Sequence, residues 1–186
     1  MSKVAGVLGL QGAYNKHKSM LERLGVESRI VRYPEELQEL DGLVIPGGES
    51  STMSKLTDEM NLRKPLLNFE KPILATCAGV ILLSENEPTE KVKPMGKLPL
   101  TCERNAYGRQ IESFTTDIDL NNDNAQFQAI FIRAPKIAHL KSEEFEILAE
   151  FDEAPILVQY RNILAATFHP ELTEDTRIHE KFIQLL

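Results

Sequence analysis

The chain has 186 residues, a length that suits one globular domain with a substantial core and no disulfide staples. Hydrophobic residues make up 42% of the sequence and charged residues 26%, which is ordinary for a globular protein and unlike a disordered or fibrous chain. The formal net charge of −7 argues against a broad nucleic-acid-binding surface, because such a surface depends on lysine and arginine displacing counterions.

The sequence contains only two cysteines, Cys77 and Cys102, whereas a small secreted disulfide scaffold usually carries more. A reducing compartment is therefore expected. The amino terminus lacks a hydrophobic segment followed by a cleavage site, and no apolar run is long enough to span a bilayer. We therefore expect a cytoplasmic protein that has no membrane partner.

The first half of the chain alternates short apolar runs with segments of helical periodicity. The apolar runs predict strands at residues 4–10, 26–31 and 43–45, and from Pro72 to a bend at Cys77. The helical periodicity predicts helices at residues 14–24, 51–60 and 61–69, the second of them capped by a hydroxyl. Strands and helices that alternate in this way form a parallel sheet through right-handed crossovers, with both sheet faces covered.

The pattern changes after residue 83. Residues 84–97 are polar and predict an exposed loop, residues 121–124 predict a turn or mobile loop, and residues 173–186 predict a final helix. Alternating apolar and polar residues predict further strands, several of them antiparallel, at residues 98–103, 110–119, 128–132, 145–151, 156–160 and 163–168. The prediction is an α/β fold with a single domain over residues 1–186: a three-layer sandwich with a central, mostly parallel sheet, helices on both faces and some antiparallel strands.

The segment around Cys77 is typical of a nucleophile elbow, in which a buried strand turns sharply into a helix and presents one side chain at the carboxyl end of the sheet. Small residues flank Cys77, and Gly79 stands where the helix must pass close to the strand it has just left. Free cysteine is also one of the residues most often buried as a small hydrophobe. The local sequence leaves both interpretations open, because reactivity requires an electropositive, partly exposed environment.

A histidine and a glutamate follow the last predicted strand, in the segment Phe168-His169-Pro170-Glu171. On an extended segment these two side chains point to the same side, which lets Glu171 accept a hydrogen bond from the ring of His169. Taken alone, such a pair is more often a partly buried histidine beside a surface carboxylate. Combined with a cysteine at an elbow, it supplies the base and the orienting carboxylate of a Cys-His-Glu triad.

A thiol that attacks an amide carbonyl also needs donors for the developing oxyanion. We expect them to be the N–H of Ala78, directly after the cysteine, and an amide from Gly47-Gly48, since both loops leave the carboxyl ends of neighbouring strands. The two glycines alone are equally compatible with a tight turn or a phosphate cradle. They are not followed by the lysine and hydroxyl residue of a P-loop.

Six sequence blocks carry a resemblance that covers nearly the whole chain. The Cys77 elbow and the His169-Pro170-Glu171 tail resemble class I, triad-type glutamine amidotransferases, which have a flavodoxin-like fold. More narrowly, the chain resembles the glutaminase subunits of pyridoxal 5′-phosphate synthase, the PdxT/SNO family. The blocks are Gly6-Val7-Leu8-Gly9-Leu10-Gln11-Gly12-Ala13, Ile45-Pro46-Gly47-Gly48-Glu49-Ser50-Ser51-Thr52-Met53, Thr76-Cys77-Ala78-Gly79, Arg104-Asn105-Ala106-Tyr107-Gly108-Arg109-Gln110, Phe131-Ile132-Arg133-Ala134-Pro135 and Ala166-Thr167-Phe168-His169-Pro170-Glu171-Leu172-Thr173.

The resemblance implies a mechanism and a set of substrate contacts. Cys77 attacks the side-chain carboxamide of glutamine while His169, held by Glu171, transfers the proton; ammonia leaves, and water then releases glutamate from a thioester. The implied glutamine-binding residues are Gly48, Glu49, Ser50, Arg104, Ile132 and Arg133. An arginine or main-chain amide near the substrate carboxylate, and a carboxylate near its ammonium group, suit a zwitterionic amino acid.

Several of these residues also have plainer interpretations. Arg104 and Arg133 are compatible with surface ion pairs, usually worth about 0–1 kcal/mol each. Glu49 is compatible with a place near the positive end of the next helix. The family usually has glycine where this chain has Ala75, and we expect the bulkier elbow to keep its activity. Tyr160-Arg161 replaces a common glutamine- or glycine-containing turn and touches no triad residue.

The resemblance also implies a partner, and it implies no metal and no cofactor, because pyridoxal 5′-phosphate is the product of the partner. That partner is the synthase subunit (PdxS/SNZ family), which receives ammonia within a large hetero-oligomer; no nucleic acid and no membrane take part. Isolated glutaminases of this type are poorly active until docking completes the oxyanion hole. The Gly47-Gly48 peptide is the implied switch.

Two other functions compete with this one. A binding or regulatory module that keeps the fold without the chemistry is opposed by the intact Cys77, His169 and Glu171. A cysteine peptidase or stress-type hydrolase on a similar scaffold is opposed by the blocks that are specific to glutamine.

Overall fold

The computed structural model describes residues 3–104, 113–121 and 125–186. The helices are α1 (Tyr14–Arg23), α2 (Ser50–Glu59), α3 (Arg63–Leu67), α4 (Ala78–Leu83) and α5 (Arg177–Leu185), with 3-10 helices at Pro34–Leu37 and Pro170–Leu172. The strands are β1 (Val4–Leu8), β2 (Glu27–Val31), β3 (Gly42–Ile45), β4 (Ile73–Thr76), β5 (Leu100–Glu103), β6 (Ser113–Ile118), β7 (Phe127–Ile132), β8 (Lys136–Leu140), β9 (Phe145–Phe151), β10 (Ala154–Tyr160) and β11 (Ile163–Ala166).

The central sheet has seven strands in the order β2-β1-β3-β4-β11-β10-β9. Its first five strands pair in parallel, whereas β10 pairs antiparallel with both β11 and β9. Two antiparallel pairs, β5 with β8 and β6 with β7, form separate two-stranded sheets. The predicted mostly parallel sheet with some antiparallel strands is confirmed, and the order of the five parallel strands is that of flavodoxin-like folds.

Successive residues along the central strands point to opposite faces of the sheet and bury two apolar layers. On one face, Leu43 and Ile45 of β3 pack with side chains from α2, α3 and α4. On the other face, Val44 belongs to the same core as Leu21 of α1 and Phe182 of α5. Helices therefore cover both faces, as the three-layer prediction requires.

The pattern of the sequence misses one strand, assigns the wrong cap to α2 and starts the last helix four residues too early. β8 shows little alternation, since only Ile137 within it is fully buried, and it becomes a strand by pairing with β5. α2 begins at Ser50 and is capped by the carboxylate of Glu49, so the predicted hydroxyl cap is wrong. The last helix begins at Arg177, because residues 170–172 first form a 3-10 turn.

Residues 84–97 lack regular secondary structure, as predicted, but Val92 and Met95 are buried in the same core layer as α4 and anchor this loop. The predicted block residues 105–110, the first part of the predicted strand at 110–119 and the predicted loop residues 122–124 lie outside the described residues. None of the described helices combines the length and the hydropathy needed to cross a bilayer.

Candidate active site

Cys77 stands at a strained bend between β4 and α4. Its backbone has φ +47° and ψ −110°, a conformation that non-glycine residues rarely adopt and that costs about 1–3 kcal/mol. The N–H of Cys77 donates to the carbonyl of Ala166 at the end of β11, 2.8 Å away, and this bond ties the bend to the neighbouring strand. The geometry is that of a nucleophile elbow.

The helix after the bend passes so close to the sheet that only glycine fits at residue 79. A Cβ on Gly79 would lie 2.3 Å from the carbonyl oxygen of Ile45. All six residues of α4 are buried, so the helix has no room to retreat from β3. This contact holds Ala78 directly after the thiol, in the first turn of α4, where N–H groups have no acceptor within the helix.

His169 and Glu171 form a buried pair beside the cysteine. Nδ1 of His169 lies 2.7 Å from Oε1 of Glu171. The predicted extended segment is wrong: His169 precedes the 3-10 turn Pro170–Leu172, and this turn brings Glu171 back to the ring. Because Nδ1 is bonded to the carboxylate, Nε2 is the nitrogen left to interact with the side chain of Cys77.

The environment favours a protonated His169 and an ionised Glu171. Burial alone would lower the pKa of His169, but its hydrogen bonds to Cys77 and Glu171 outweigh burial and raise the pKa to about 10. Burial alone would raise the pKa of Glu171, but the neighbouring His17 and the hydrogen bond to His169 hold it below its ordinary value. A protonated imidazole beside the thiol is the electropositive setting that a reactive cysteine requires.

The second cysteine has a different environment. Burial, together with the proximity of Cys77, raises the pKa of the Cys102 thiol to about 12. Both cysteines are free rather than paired in a disulfide. Cys102 therefore fits the structural role of a small buried hydrophobe, and Cys77 is the thiol that fits nucleophilic chemistry.

Strand β7 brings main-chain groups to the site. The N–H of His169 donates to the carbonyl of Ile130 at 2.8 Å, and the sulfur of Cys77 lies 3.8 Å from the carbonyl oxygen of Ile132. Directly after the strand, Arg133 has φ +45° and is a second strained residue near the thiol. The predicted residues Ile132 and Arg133 thus lie at the site, and Ile132 contacts Cys77 through its carbonyl.

A pocket of about 170 Å³ opens beside the thiol. Pockets for drug-sized ligands measure roughly 300–1,000 Å³, so this one suits a ligand as small as a single amino acid. Its lining residues are Gly48, Glu49, Ser50, Cys77, Ala78, Ile81, Arg104 and Arg133. The pocket brings together the predicted binding residues other than Ile132. Ile81 was not predicted, because an apolar residue of α4 has the same pattern whether it faces the core or a ligand.

Glu49 has a structural contact in addition to its place in the pocket. Its carboxylate accepts hydrogen bonds from the N–H groups of Ser51 and Thr52, at 3.2 and 2.7 Å, and from both of their hydroxyls. The bond from the Ser51 hydroxyl, together with those from Thr52, lowers the pKa of Glu49 to about 2. Arg104 lies 3.7 Å from the same carboxylate. Glu49 is therefore a helix cap as well as a pocket residue.

One of the main-chain amides of the Gly47-Gly48 loop is already hydrogen-bonded within the protein. The N–H of Gly47 donates to the hydroxyl of Thr76 at 3.0 Å, so it is not available to an oxyanion in this arrangement. A Cβ at residue 47 would lie 2.6 Å from Cε1 of His169, which explains the glycine there. Of the predicted oxyanion donors, the N–H groups of Gly48 and Ala78 remain.

Three further polar residues support the site and were not among those predicted. His17 on α1 and His179 on α5 are fully buried, with Nδ1 of the first 2.9 Å from Nε2 of the second. Gln11 accepts a hydrogen bond from the N–H of Glu49 at 2.7 Å and so holds the loop before α2. His17 had a signal in the sequence, since it stands four residues before Leu21 on the buried face of α1.

Similarity to known proteins identifies the family of this chain. A model of the SNO glutamine amidotransferase family matches residues 7–186. The chain belongs to this family. It is 48% identical to the pyridoxal 5′-phosphate synthase subunit PdxT of Thermosipho africanus over 184 residues, 97% of each chain. It is 40% identical to the PdxT subunit of Bacillus licheniformis, covering 97% of this chain and 93% of that one.

Solved structures agree with the family. A crystal structure of a glutamine amidotransferase, 40% identical, matches with a TM-score of 0.88 over 97% of each chain. A putative GMP synthase subunit from Thermoplasma acidophilum reaches a TM-score of 0.71 at 19% identity, covering 100% of this chain and 94% of that one. The second likeness shows a shared fold alone. The predicted family and fold class are both confirmed.

Proposed function

We propose that Cys77, His169 and Glu171 form the triad with which this glutamine amidotransferase hydrolyses L-glutamine to L-glutamate and ammonia. The observation that carries the proposal is the hydrogen-bonded pair of His169 and Glu171 beside Cys77, which stands at a strained elbow next to an amino-acid-sized pocket. Membership of the SNO glutamine amidotransferase family supports glutamine as the substrate.

The triad performs the reaction in two halves. Because the site favours the imidazolium form of His169, the thiol proton already lies on Nε2 before the reaction, and Sγ of Cys77 adds as a thiolate to the side-chain carbonyl carbon of glutamine. The imidazolium then gives this proton to the substrate nitrogen, the C–N bond breaks, and ammonia leaves a glutamyl thioester on Cys77. In the second half, the now neutral His169 takes a proton from water, the hydroxide adds to the thioester, and the sulfur leaves as a thiolate beside the imidazolium as glutamate is released. Glu171 keeps Nδ1 protonated and the ring in place throughout.

The oxyanion that forms in each half is held by main-chain donors. The N–H of Ala78 follows the nucleophile directly, as in other elbow enzymes. The second donor comes from the Gly47-Gly48 loop, where the Gly47 N–H is bonded to Thr76 in the free chain. Docking of the partner subunit rotates this loop and completes the oxyanion hole.

The substrate contacts follow from the charges around the pocket. The arginines attract the carboxylate of glutamine, and the ionised carboxylate of Glu49 attracts its ammonium group. Main-chain groups beside the thiol provide the remaining contacts to glutamine. The glutamine-binding residues in this proposal are Gly48, Glu49, Ser50, Arg104, Ile132 and Arg133.

The chain is the glutamine-hydrolysing subunit of pyridoxal 5′-phosphate synthase and supplies ammonia to the synthase subunit. Relatives at 48% and 40% identity carry this subunit name, which supports the assignment. Ammonia is mostly protonated near neutral pH and is then no nucleophile, so it passes through a shielded route between the two sites. We place the chain in a large cytoplasmic hetero-oligomer with PdxS/SNZ-type synthase subunits, with no nucleic acid and no cofactor of its own.

The test is glutamine hydrolysis by the chain reconstituted with a synthase subunit. Ammonia and glutamate release are measured for the wild type, for Cys77→Ala and for Cys102→Ala, which removes the other free cysteine. We expect Cys77→Ala to abolish hydrolysis and Cys102→Ala to retain it, with pyridoxal 5′-phosphate formation from glutamine following the same order. Hydrolysis that persists in Cys77→Ala would overturn the proposed triad.

A further inference from the structure

A buried polar cluster lies behind the triad. Its members are His17 on α1, His179 on α5 and Thr76 at the end of β4, each with 0% exposure. Nε2 of His17 lies 3.3 Å from Oε2 of Glu171 and 3.3 Å from Oγ1 of Thr76. Burial of polar side chains costs free energy unless each is hydrogen-bonded, so a cluster in direct contact with the triad carboxylate calls for an explanation.

Two atoms around this cluster have no hydrogen-bond partner among the described residues: Oε2 of Glu171 and Nδ1 of His179. Nε2 of His17 meets the geometry of a hydrogen bond toward Thr76 and lies at ion-pair distance from Oε2. A proton on this nitrogen therefore faces both the hydroxyl and the carboxylate. It is placed to stabilise the negative charge that remains on Oε2 after Oε1 has bonded to His169.

The contacts also determine which ring nitrogens carry protons. A lone pair on Nε2 of His17 would face the carboxylate of Glu171 and be repelled by it, so Nε2 carries the proton and Nδ1 is an acceptor. Nε2 of His179, 2.9 Å away, then donates to Nδ1 of His17. Burial lowers the pKa of His17, and it lowers that of His179 to about 3, so both rings are neutral near pH 7. The unpartnered Nδ1 of His179 is then a lone pair rather than a buried N–H.

We propose that His17 is a positioning residue for glutamine hydrolysis: in the Nε2–H tautomer that His179 imposes, it holds the Glu171 carboxylate and the Thr76 hydroxyl together. The inference rests on the proposed triad. His17 itself is not among the residues that line the pocket. It acts on the reaction through its two neighbours.

Glu171 and Thr76 act on different groups around the reacting thiol. Through Glu171, whose Oε1 is 2.7 Å from Nδ1 of His169, the His17 contact keeps the imidazole directed at the sulfur. Through Thr76, which accepts from the Gly47 N–H at 3.0 Å, it sets the resting position of the loop that supplies an oxyanion donor. The three side chains that contact His17 do not line the pocket, so we expect loss of the His17 donor to affect the chemical step more than the binding of glutamine.

A matched pair of substitutions separates positioning from packing. The amide nitrogen of His17→Gln reaches the place of Nε2, whereas that of His17→Asn reaches only the place of Nδ1. In the complex with the synthase subunit, we expect His17→Asn to lower kcat by about 10–100-fold, by analogy with the loss of the residues that orient metal ligands in metalloenzymes. We expect His17→Gln to recover most of kcat, and KM for glutamine to change by less than about threefold in both.

Leu21→Ala is the control, because Leu21 is a fully buried apolar residue of the same helix. We expect it to lower the melting temperature and to leave kcat unchanged. If the kcat of both His17 variants simply follows their melting temperatures, as a packing role requires, the proposal is overturned. It is also overturned if His17→Asn keeps the kcat of the wild type.

The tautomer provides a second readout that needs no activity. Imidazole ¹⁵N chemical shifts of the full chain should show His17 protonated at Nε2 and unprotonated at Nδ1, with the Nδ1 signal changing in His179→Leu. The opposite tautomer would refute the positioning role even if the triad is correct. A wild-type complex that fails to hydrolyse glutamine would instead refute the proposed function.

Discussion

Two buried thiols in this chain show that a neighbouring group decides reactivity more than burial does. The pKa of Cys102 is raised to about 12, chiefly by burial, which keeps this thiol protonated. Cys77 is also buried, but it lies beside His169, whose pKa is raised to about 10 in part by its interaction with Cys77. The same side chain is thus a packing residue in one place and a candidate nucleophile in the other.

The charge of Glu171 should matter more than its size. Glu171→Gln preserves the volume of the side chain but removes the charge that stabilises the imidazolium and keeps Nδ1 of His169 protonated. We expect kcat to fall by about 10³–10⁴-fold with KM nearly unchanged, by analogy with the loss of the carboxylate in serine protease triads. Steady-state kinetics of the complex, with a thermal melt to verify folding, are the measurement. A kcat within tenfold of the wild type would contradict this role.

His169 should also make stability depend on pH. Its pKa in the folded chain, about 10, lies above the ordinary value of 6.5. Its contribution to stability is therefore fully present below pH 6.5 and is lost as the pH rises through about 10. We expect the free energy of unfolding in urea to fall more steeply between pH 7 and pH 10 for the wild type than for His169→Asn. Parallel slopes would show that the residue is not held in its charged form.

The start of α2 has two roles that a single substitution can separate. Glu49→Gln keeps an oxygen that accepts from the N–H groups of Ser51 and Thr52, but it loses the charge proposed to face the ammonium group of glutamine. We expect the melting temperature to change little and KM to rise about tenfold, which corresponds to about 1.4 kcal/mol. Glu49→Ala should in addition cost about 1 kcal/mol of stability through loss of the cap. An unchanged KM in Glu49→Gln would leave Glu49 with the capping role alone.

The elbow depends on the close contact between α4 and β3. Gly79→Ala places a Cβ 2.3 Å from the backbone oxygen of Ile45, so one of the two elements must move. We expect a loss of about 1–3 kcal/mol in unfolding free energy and a larger loss of kcat than stability alone explains, because Cys77 moves with the helix. Val80→Ala, in the same helix, is the control, and it should lower stability without lowering kcat. Equal effects of the two substitutions on kcat would argue against a special role of this contact.

The sequence predicted the elements near the site better than those far from it. The inner strands β1, β3 and β4 are apolar runs with glycine or proline at or near their ends, and such runs remain strands because both of their faces are buried. β8 carries no such pattern, and its pairing with β5 depends on a tertiary contact. The 3-10 turn after His169 was missed for a similar reason, since His-Pro-Glu has no period long enough to distinguish a tight turn from an extended segment.

For the molecule as a whole, the free chain should be a weak glutaminase. The Gly47 N–H is bonded to Thr76, so one of the proposed oxyanion donors is absent until the loop rearranges. One such donor is worth about 10²–10³ in kcat. We therefore expect addition of the synthase subunit to raise glutamine hydrolysis at least tenfold. High turnover by the chain alone, unchanged by the partner, would contradict this arrangement.

The sequence motifs identified the triad candidates and most of the pocket, because those residues lie within short blocks at the ends of predicted strands. They did not identify the cluster behind the triad. His17, Thr76 and His179 come from separate parts of the chain and meet only when α1 and α5 cover the same face of the sheet. A contact of this kind is a property of the tertiary fold.

In the proposed mechanism, glutamine is hydrolysed through a thioester on Cys77. The most direct measurement is to quench the complex in acid during turnover of ¹⁴C-labelled glutamine and to map the label by peptide mass spectrometry. We predict a glutamyl adduct on the peptide that contains Cys77, and no label on the peptide that contains Cys102. Sustained hydrolysis with label on another residue, or with no adduct even in a variant slowed at the water step, would contradict the claim.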